Sequence, residues 1–175
     1  MYLAGQIIGV VALTLAVISF QQKTHKYILT FQLLANIMFV LHFGLIGAYT
    51  GALLNFVAML RSVVFVNKGK SWADNKFWLW LFCALSVIAG VVTWESWKSV
   101  LPIAGMVCST VAFWIKTPRY VRLVSFPSSP LWLVYNMLGK SYAGVLTEVI
   151  NMTSIIIAII RLDLKEYKMN NIHEK

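Results

Sequence analysis

Apolar residues run through this chain in seven long stretches, at roughly 3–20, 27–46, 49–66, 77–93, 99–115, 120–138 and 142–160. Each is close to the ~20 residues that a helix needs to cross the hydrocarbon of a bilayer. Short polar breaks separate them. The fourth and fifth meet at Trp94-Glu95-Ser96-Trp97-Lys98, which reads as a turn at the membrane interface. The sixth contains Ser125, Pro127, Ser128, Ser129 and Pro130, which predict a kink. A kinked span is tolerated where neighbouring groups satisfy the freed backbone. The pattern predicts an all-α integral membrane protein of seven transmembrane helices.

Composition narrows the picture. Of 175 residues, 59% are apolar and 12% are charged. Mean hydropathy is +0.75. So few charges cannot coat a water-soluble fold, and disorder or a secreted disulfide scaffold is excluded. The net charge of +9 would suggest a nucleic-acid partner if the basic residues were clustered. They lie instead between the apolar stretches, so the partner they imply is the bilayer with its anionic headgroups. Cys83 and Cys108 sit within apolar runs and give neither a disulfide framework nor a metal set.

Charge also predicts orientation. The first apolar run has no basic residue before it, and Lys23 and Lys26 follow it, so it reads as a first span and not a cleaved leader. With the N-terminus outside, the inner loops and tail hold Lys23, Lys26, Lys68, Lys70, Lys76, Lys116, Arg119, Arg122, Arg161, Lys165, Lys168 and Lys175. Lys98 and Lys140 fall outside. That bias predicts a cytoplasmic C-terminus and an inner-membrane location.

The chain also resembles itself. At an offset of 93, residues 20–59 align with 113–152 and nine of 40 pairs are identical: Phe20/Phe113, Lys23/Lys116, Thr24/Thr117, Tyr27/Tyr120, Leu45/Leu138, Tyr49/Tyr142, Gly51/Gly144, Leu53/Leu146 and Met59/Met152. Several fall on loop residues, where apolar bias does not create matches. Spans one to three therefore correspond to spans five to seven, with span four as a linker. An odd linker gives both triplets the same orientation, a parallel repeat about an axis along the membrane normal. The predicted organisation is a first three-helix bundle over 1–68, a linker helix with its loops over 69–98, a second bundle over 99–162 and a tail over 163–175.

The arrangement of three spans, a linker and three spans resembles the SWEET, PQ-loop and PnuC-type transporters. The chain is most similar to the YgjV-type bacterial inner-membrane protein family, over about residues 5–162. The matching motifs are Gly9-Val10-Val11-Ala12, His42-Phe43-Gly44-Leu45-Ile46-Gly47-Ala48-Tyr49, Arg61, Leu101-Pro102 with Ser109-Thr110, Asn136 and Glu148. The resemblance implies a SWEET-like fold and an inner-membrane place, with no settled substrate. The chain departs from the SWEET pattern in two ways. Its four prolines (Pro102, Pro118, Pro127, Pro130) all fall in the second half, and the first loop reads Gln21-Gln22 where PQ-loop proteins carry Pro-Gln.

Candidate chemistry lies in polar groups within the spans. An ionisable side chain there costs roughly 2.5–3.5 kcal/mol unless it finds a partner or a wet cavity. Glu148 is the only acidic residue predicted inside the membrane, and Asn55 is its counterpart in the first triplet. With Asn151 on the same helix, Glu148 is a candidate for binding solute or proton; the plainer role is to glue helices together. His42, Asn55, Tyr135, Asn136 and Glu148 fall in one layer, roughly 8–11 Å below the outer turns at 1.5 Å per residue. Asn36 with Gln32, and Trp132 with Ser125, Ser129 and Asn136, form further polar faces that suit a polar solute or ordinary packing. Arg61 lies about 9 Å deeper than Asn55. Snorkelling to the inner headgroups is the plain reading; gating or pairing with an anionic substrate is the other.

Enzyme motifs are missing: there is no P-loop, nucleophile elbow or metalloprotease helix, and no cofactor or metal is implied. The reading is a facilitator or proton-coupled transporter of a small polar solute, acting by alternating access. The alternative is a non-transporting membrane receptor or assembly protein of the same fold. Expected partners are the bilayer, the solute and protons, with no nucleic acid; a homo-oligomer is compatible with either reading.

Overall fold

The computed structural model describes residues 2–45, 49–94, 96–138 and 142–164. Part of the motif from His42 to Tyr49, the residues Glu95 and Lys140, and the tail after Leu164 with His173, Lys165, Lys168 and Lys175 lie outside them. The described residues are helical and contain no strand beyond an isolated bridge between Lys68 and Lys70. The helices are α1 (Tyr2–Phe20), α2 (His25–Leu45), α3 (Tyr49–Val66), α4 (Lys76–Val92), α5 (Val100–Trp114), α6 (Pro118–Ser125), α7 (Ser128–Leu138) and α8 (Tyr142–Ala158). A 3-10 turn at Trp97–Ser99 leads into α5, and α8 continues as a π-type turn over Ile159–Leu164.

Three described helices are long and apolar enough to cross a membrane: His25–Leu45, Trp97–Trp114 and Val145–Asp163. Shorter apolar helices occupy Ile7–Phe20, Ala52–Val66 and Lys76–Val92. The sixth apolar stretch is divided, because α6 stops at Ser125 and α7 starts at Ser128. Pro127 has no N–H to give the helix and its ring crowds the preceding turn, which accounts for the break. Pro118 opens α6 at a first-turn position where its fixed φ fits a helix. Asn75 caps α4 by accepting a hydrogen bond from the Phe77 amide at 2.8 Å. The turn before α4 needs Gly69, whose φ of +118° is a conformation side chains rarely adopt.

Packing follows a simple order. Helix α2 lies against both α1 and α3. Likewise α7 lies against both α5 and α8, with α6 also on α5. Helix α4 packs on α3 and α5. Between the two groups, α1 meets α8, α3 meets α5 and α2 meets α6.

The largest buried apolar cluster lies toward the end of the array that carries Lys23, Lys26, Lys68 and Lys116, here termed the basic end. It contains Phe20, Ile28, Leu29, Phe65, Phe82, Phe113, Val121 and Ile155. Phe65 meets Phe82 and Trp114 edge to face, at 5.7 and 5.2 Å between centroids. The outer surface is apolar too. Ile7, Val10, Leu53, Trp80, Val92, Leu146 and Ile160 are exposed. Lipid, unlike water, makes such a surface favourable, so helix association rests on close packing and buried hydrogen bonds.

Candidate functional site: polar side chains between apolar helices

His42 of the proposed layer and Trp132 of the polar face on the sixth stretch are both seated on glycines. His42 Nδ1 lies 2.7 Å from the Gly5 carbonyl oxygen, joining α2 to α1. Its ring fills the space beside Gly9, where a Cβ would come 2.7 Å from Nδ1. On the other side, Trp132 of α7 covers Gly105 of α5, where a Cβ would come 2.8 Å from the indole. Ser128 Oγ donates to the Gly105 carbonyl at 2.9 Å. Tyr135 meets Trp132 edge to face at 5.9 Å. His42 and Trp132 thus serve close packing between the first two helices of each group.

Glu148 faces α7. The side chains of Ser129 on α7 and Asn151 on α8 are the polar neighbours of its carboxyl group. Asn151 Oδ1 is buried and has no partner. In the first group, Asn36 Nδ2 on α2 donates to Ser62 Oγ on α3 at 3.2 Å, and both residues are buried. Gln32 Nε2 donates to Ser19 Oγ, which donates to the Ile28 carbonyl. Asn55 and Asn136 are half-buried on α3 and α7. Each of these described contacts stays within its own helix group.

Contacts between the groups are made deeper, toward the basic end. Arg61 of α3 is 4% exposed. It does not snorkel: its Nη1 donates to Thr110 Oγ1 at 2.7 Å and to Ser109 Oγ at 3.2 Å, both on α5. Both hydroxyls donate onward to the Met106 carbonyl. The guanidinium lies 5.1 Å from the centre of the Phe113 ring. Arg61 Nε is buried without a partner. The opposite seam, α1 against α8, is closed by Ser154, whose Oγ donates to the Val17 carbonyl at 3.1 Å. Gln21 Nε2 donates to Ser154 O at 2.7 Å and to Ser154 Oγ at 3.0 Å.

The basic end carries a second set of ties. Arg122 and Asp163, each side chain 3% exposed, form a two-pronged ion pair. Its Nε reaches Asp163 Oδ2 at 2.9 Å, and Nη1 donates to the Gln22 carbonyl at 2.9 Å. His25 meets the Phe113 carbonyl at 3.0 Å, and Lys116 pairs with Asp74 at 2.9 Å. Lys68 donates to the Trp114 carbonyl and sits over the Trp114 ring. Burial pushes the Lys68 ammonium down to about 8, and Asp74 pulls it back up.

The Arg122–Asp163 pair is the feature that sequence reasoning missed. Arg122 reads as one more positive charge beside the membrane, and Asp163 as a tail residue beyond the last span. The available signal was Arg122 alone among Val121, Leu123 and Val124, with Asp163 the nearest acid after the last apolar run.

Among the described residues, no group of three or more His, Cys, Asp or Glu could hold a metal ion. Cys83 and Cys108 are free thiols. A family described as bacterial inner membrane protein matches residues 3–166. No curated protein and no solved structure matches the chain.

Proposed function

Since the chain belongs to the Imp-YgjV family of bacterial inner membrane proteins, we propose that it is a seven-span carrier that moves a small polar solute by alternating access. In this reading the basic end faces the cytoplasm, as the charge bias favours, and the N-terminus lies outside. Helices α1–α3 and α5–α8 act as two bundles that rock about their common seam, with α4 as the linker.

One observation carries the reading. At the basic end, the α1–α8 seam is fastened by hydrogen bonds from Gln21 and Ser154 to backbone and side-chain oxygens of the facing group. Hydrogen bonds of this kind have a net worth of roughly 0.5–1.5 kcal/mol each, because water can replace the partner. A seam held so can open and reclose. Gln21 and Gln22 occupy the loop position where the PQ-loop transporters that the sequence resembles carry Pro-Gln, and in this reading that loop helps to gate. Glu148, with Ser129 and Asn151 beside it, supplies a group that can take up and release a proton within the carrier.

The test is flux. The protein is reconstituted in liposomes and offered radiolabelled sugars, nucleosides, vitamins and amino acids. Uptake of at least one, above protein-free liposomes, supports a carrier. Ligand-induced thermal stabilisation without flux for that ligand favours a receptor and overturns the transport reading.

A further inference from the structure

Just beyond the ends of the two matched segments, the same offset of 93 relates Arg61 to Ser154. It also relates Val17 to Thr110. The Arg61–Thr110 contact joins α3 to α5, and the Ser154–Val17 contact joins α8 to α1. The two seams are therefore closed by corresponding residues. One needs only a serine hydroxyl on a backbone carbonyl. The other buries a guanidinium, a charged side chain that is costly to place inside a membrane. Ser154 makes its contact with Val17 without a charge, and the buried guanidinium on that side, Arg122, is paired with Asp163; Arg61 has no such partner among the described residues.

The guanidinium's surroundings leave its charge uncompensated. Ser109 and Thr110 are neutral, and both spend their own protons on the Met106 carbonyl. The Phe113 ring offers only its π face. No carboxylate among the described residues forms an ion pair with Arg61; the described pairs are Lys116–Asp74 and Arg122–Asp163. Nη1 is taken by the two hydroxyls, while Nε, on the other edge, is buried and unpartnered. That second edge, Nε with Nη2, is the one that receives an oxyanion through two parallel hydrogen bonds.

We propose that Arg61 binds the carboxylate of a monoanionic organic solute at the α3–α5 seam, through its Nε edge. This rests on the carrier reading for the identity of its occupant. A single negative charge balances the guanidinium; a phosphate dianion would carry excess charge into a dry site. Bidentate geometry favours an oxyanion over chloride. Burial of Arg61 within the helix array argues against a lipid headgroup, which would need an opening to the bilayer. The Phe113 ring, 5.1 Å from the guanidinium carbon, makes the surroundings aromatic, which suits an acid with an apolar or aromatic body.

Binding is measured on the full chain in a non-ionic detergent by isothermal calorimetry, with sodium acetate and sodium benzoate as probes at constant ionic strength. Sodium chloride, inorganic phosphate and phosphatidylglycerol are the comparison arms. The proposal expects benzoate to bind, and Arg61→Lys, which keeps the charge but loses the fork, to weaken it by about tenfold or more. On the unsubstituted protein, the Arg61 Nε–H resonance followed by nitrogen-15 NMR must shift as benzoate is added. This second readout holds whether or not the variant folds. Binding confined to chloride, phosphate or phosphatidylglycerol overturns the proposal, as does an Nε–H resonance unmoved by benzoate. Liposome flux of a neutral solute without carboxylate binding overturns this site and leaves the carrier reading standing. Fork-dependent carboxylate binding without flux of any carboxylate supports the site and overturns the carrier reading.

Discussion

Phe20 and Phe113 stack on one another, with ring centroids 6.4 Å apart and planes 25° from parallel. They are also equivalent positions in the two matched segments. A residue touches its own counterpart only where the two copies face each other near their common axis. The pairing of α1 with α8 and of α3 with α5 has the same reciprocity. In the proposed doubled triplet the halves would meet at the basic end, where these contacts lie.

Arg122 and Asp163 stabilise the basic end only as a pair. Asp163→Asn leaves a buried arginine without its carboxylate and lowers stability by about 3–5 kcal/mol. Arg122→Met combined with Asp163→Leu recovers most of that loss. Thermal unfolding in detergent reads both; an Asp163→Asn protein as stable as wild type contradicts the assignment.

Gly105 admits the Trp132 ring. Gly105→Ala places a methyl group 2.8 Å from the indole. Overpacking of this kind costs about 1–3 kcal/mol. Trp132→Leu should relieve the clash in the double variant. An unchanged melting temperature for Gly105→Ala would show that α5 and α7 do not pack as described.

Lys68 gives a pH signature. Its ammonium is pushed down to about 8 from an ordinary 10.5. Between those values the unfolded chain binds more protons than the folded one, so stability rises with pH across the window. Below about 8 both states are protonated, and the burial penalty is present in full. The melting temperature of wild type relative to Lys68→Met should therefore climb from pH 8 toward 10.5. A flat difference over that range refutes the burial of Lys68.

Glu148→Gln keeps the shape of the side chain and its capacity to bond Ser129 and Asn151, and removes the titrating proton. The variant should fold with wild-type thermal stability. Uptake of the solute identified by the liposome panel should lose its pH dependence. Full pH-dependent uptake in Glu148→Gln removes Glu148 from the proton path.

Much of the helix layout was legible because it follows from local properties. The break at Pro127 needs only the missing N–H, and the burial of Gln32 and Asn36 follows from their spacing on an apolar helix. The partners of polar residues were not legible, because they depend on which helices meet. His42 was grouped with Glu148 by depth, yet its bond goes to the Gly5 carbonyl, a backbone atom that no residue pattern marks. Arg61 fitted snorkelling by its position near a span end, but α5 supplies hydroxyls within hydrogen-bond reach of it. Arg122 and Asp163 are 41 residues apart and meet only because α6 packs beside the turn after α8.

The most direct test of a rocking carrier is paired distance measurement by electron spin resonance in liposomes, on a Cys83→Ser, Cys108→Ser background. One label pair, at Lys23 and Arg161, spans the α1–α8 seam at the basic end; the other, at Ile7 and Leu146, spans it at the opposite end. The account predicts two populations in each pair, with widening at one end matched by narrowing at the other as pH or solute is changed. A single fixed distance at both ends under every condition contradicts it.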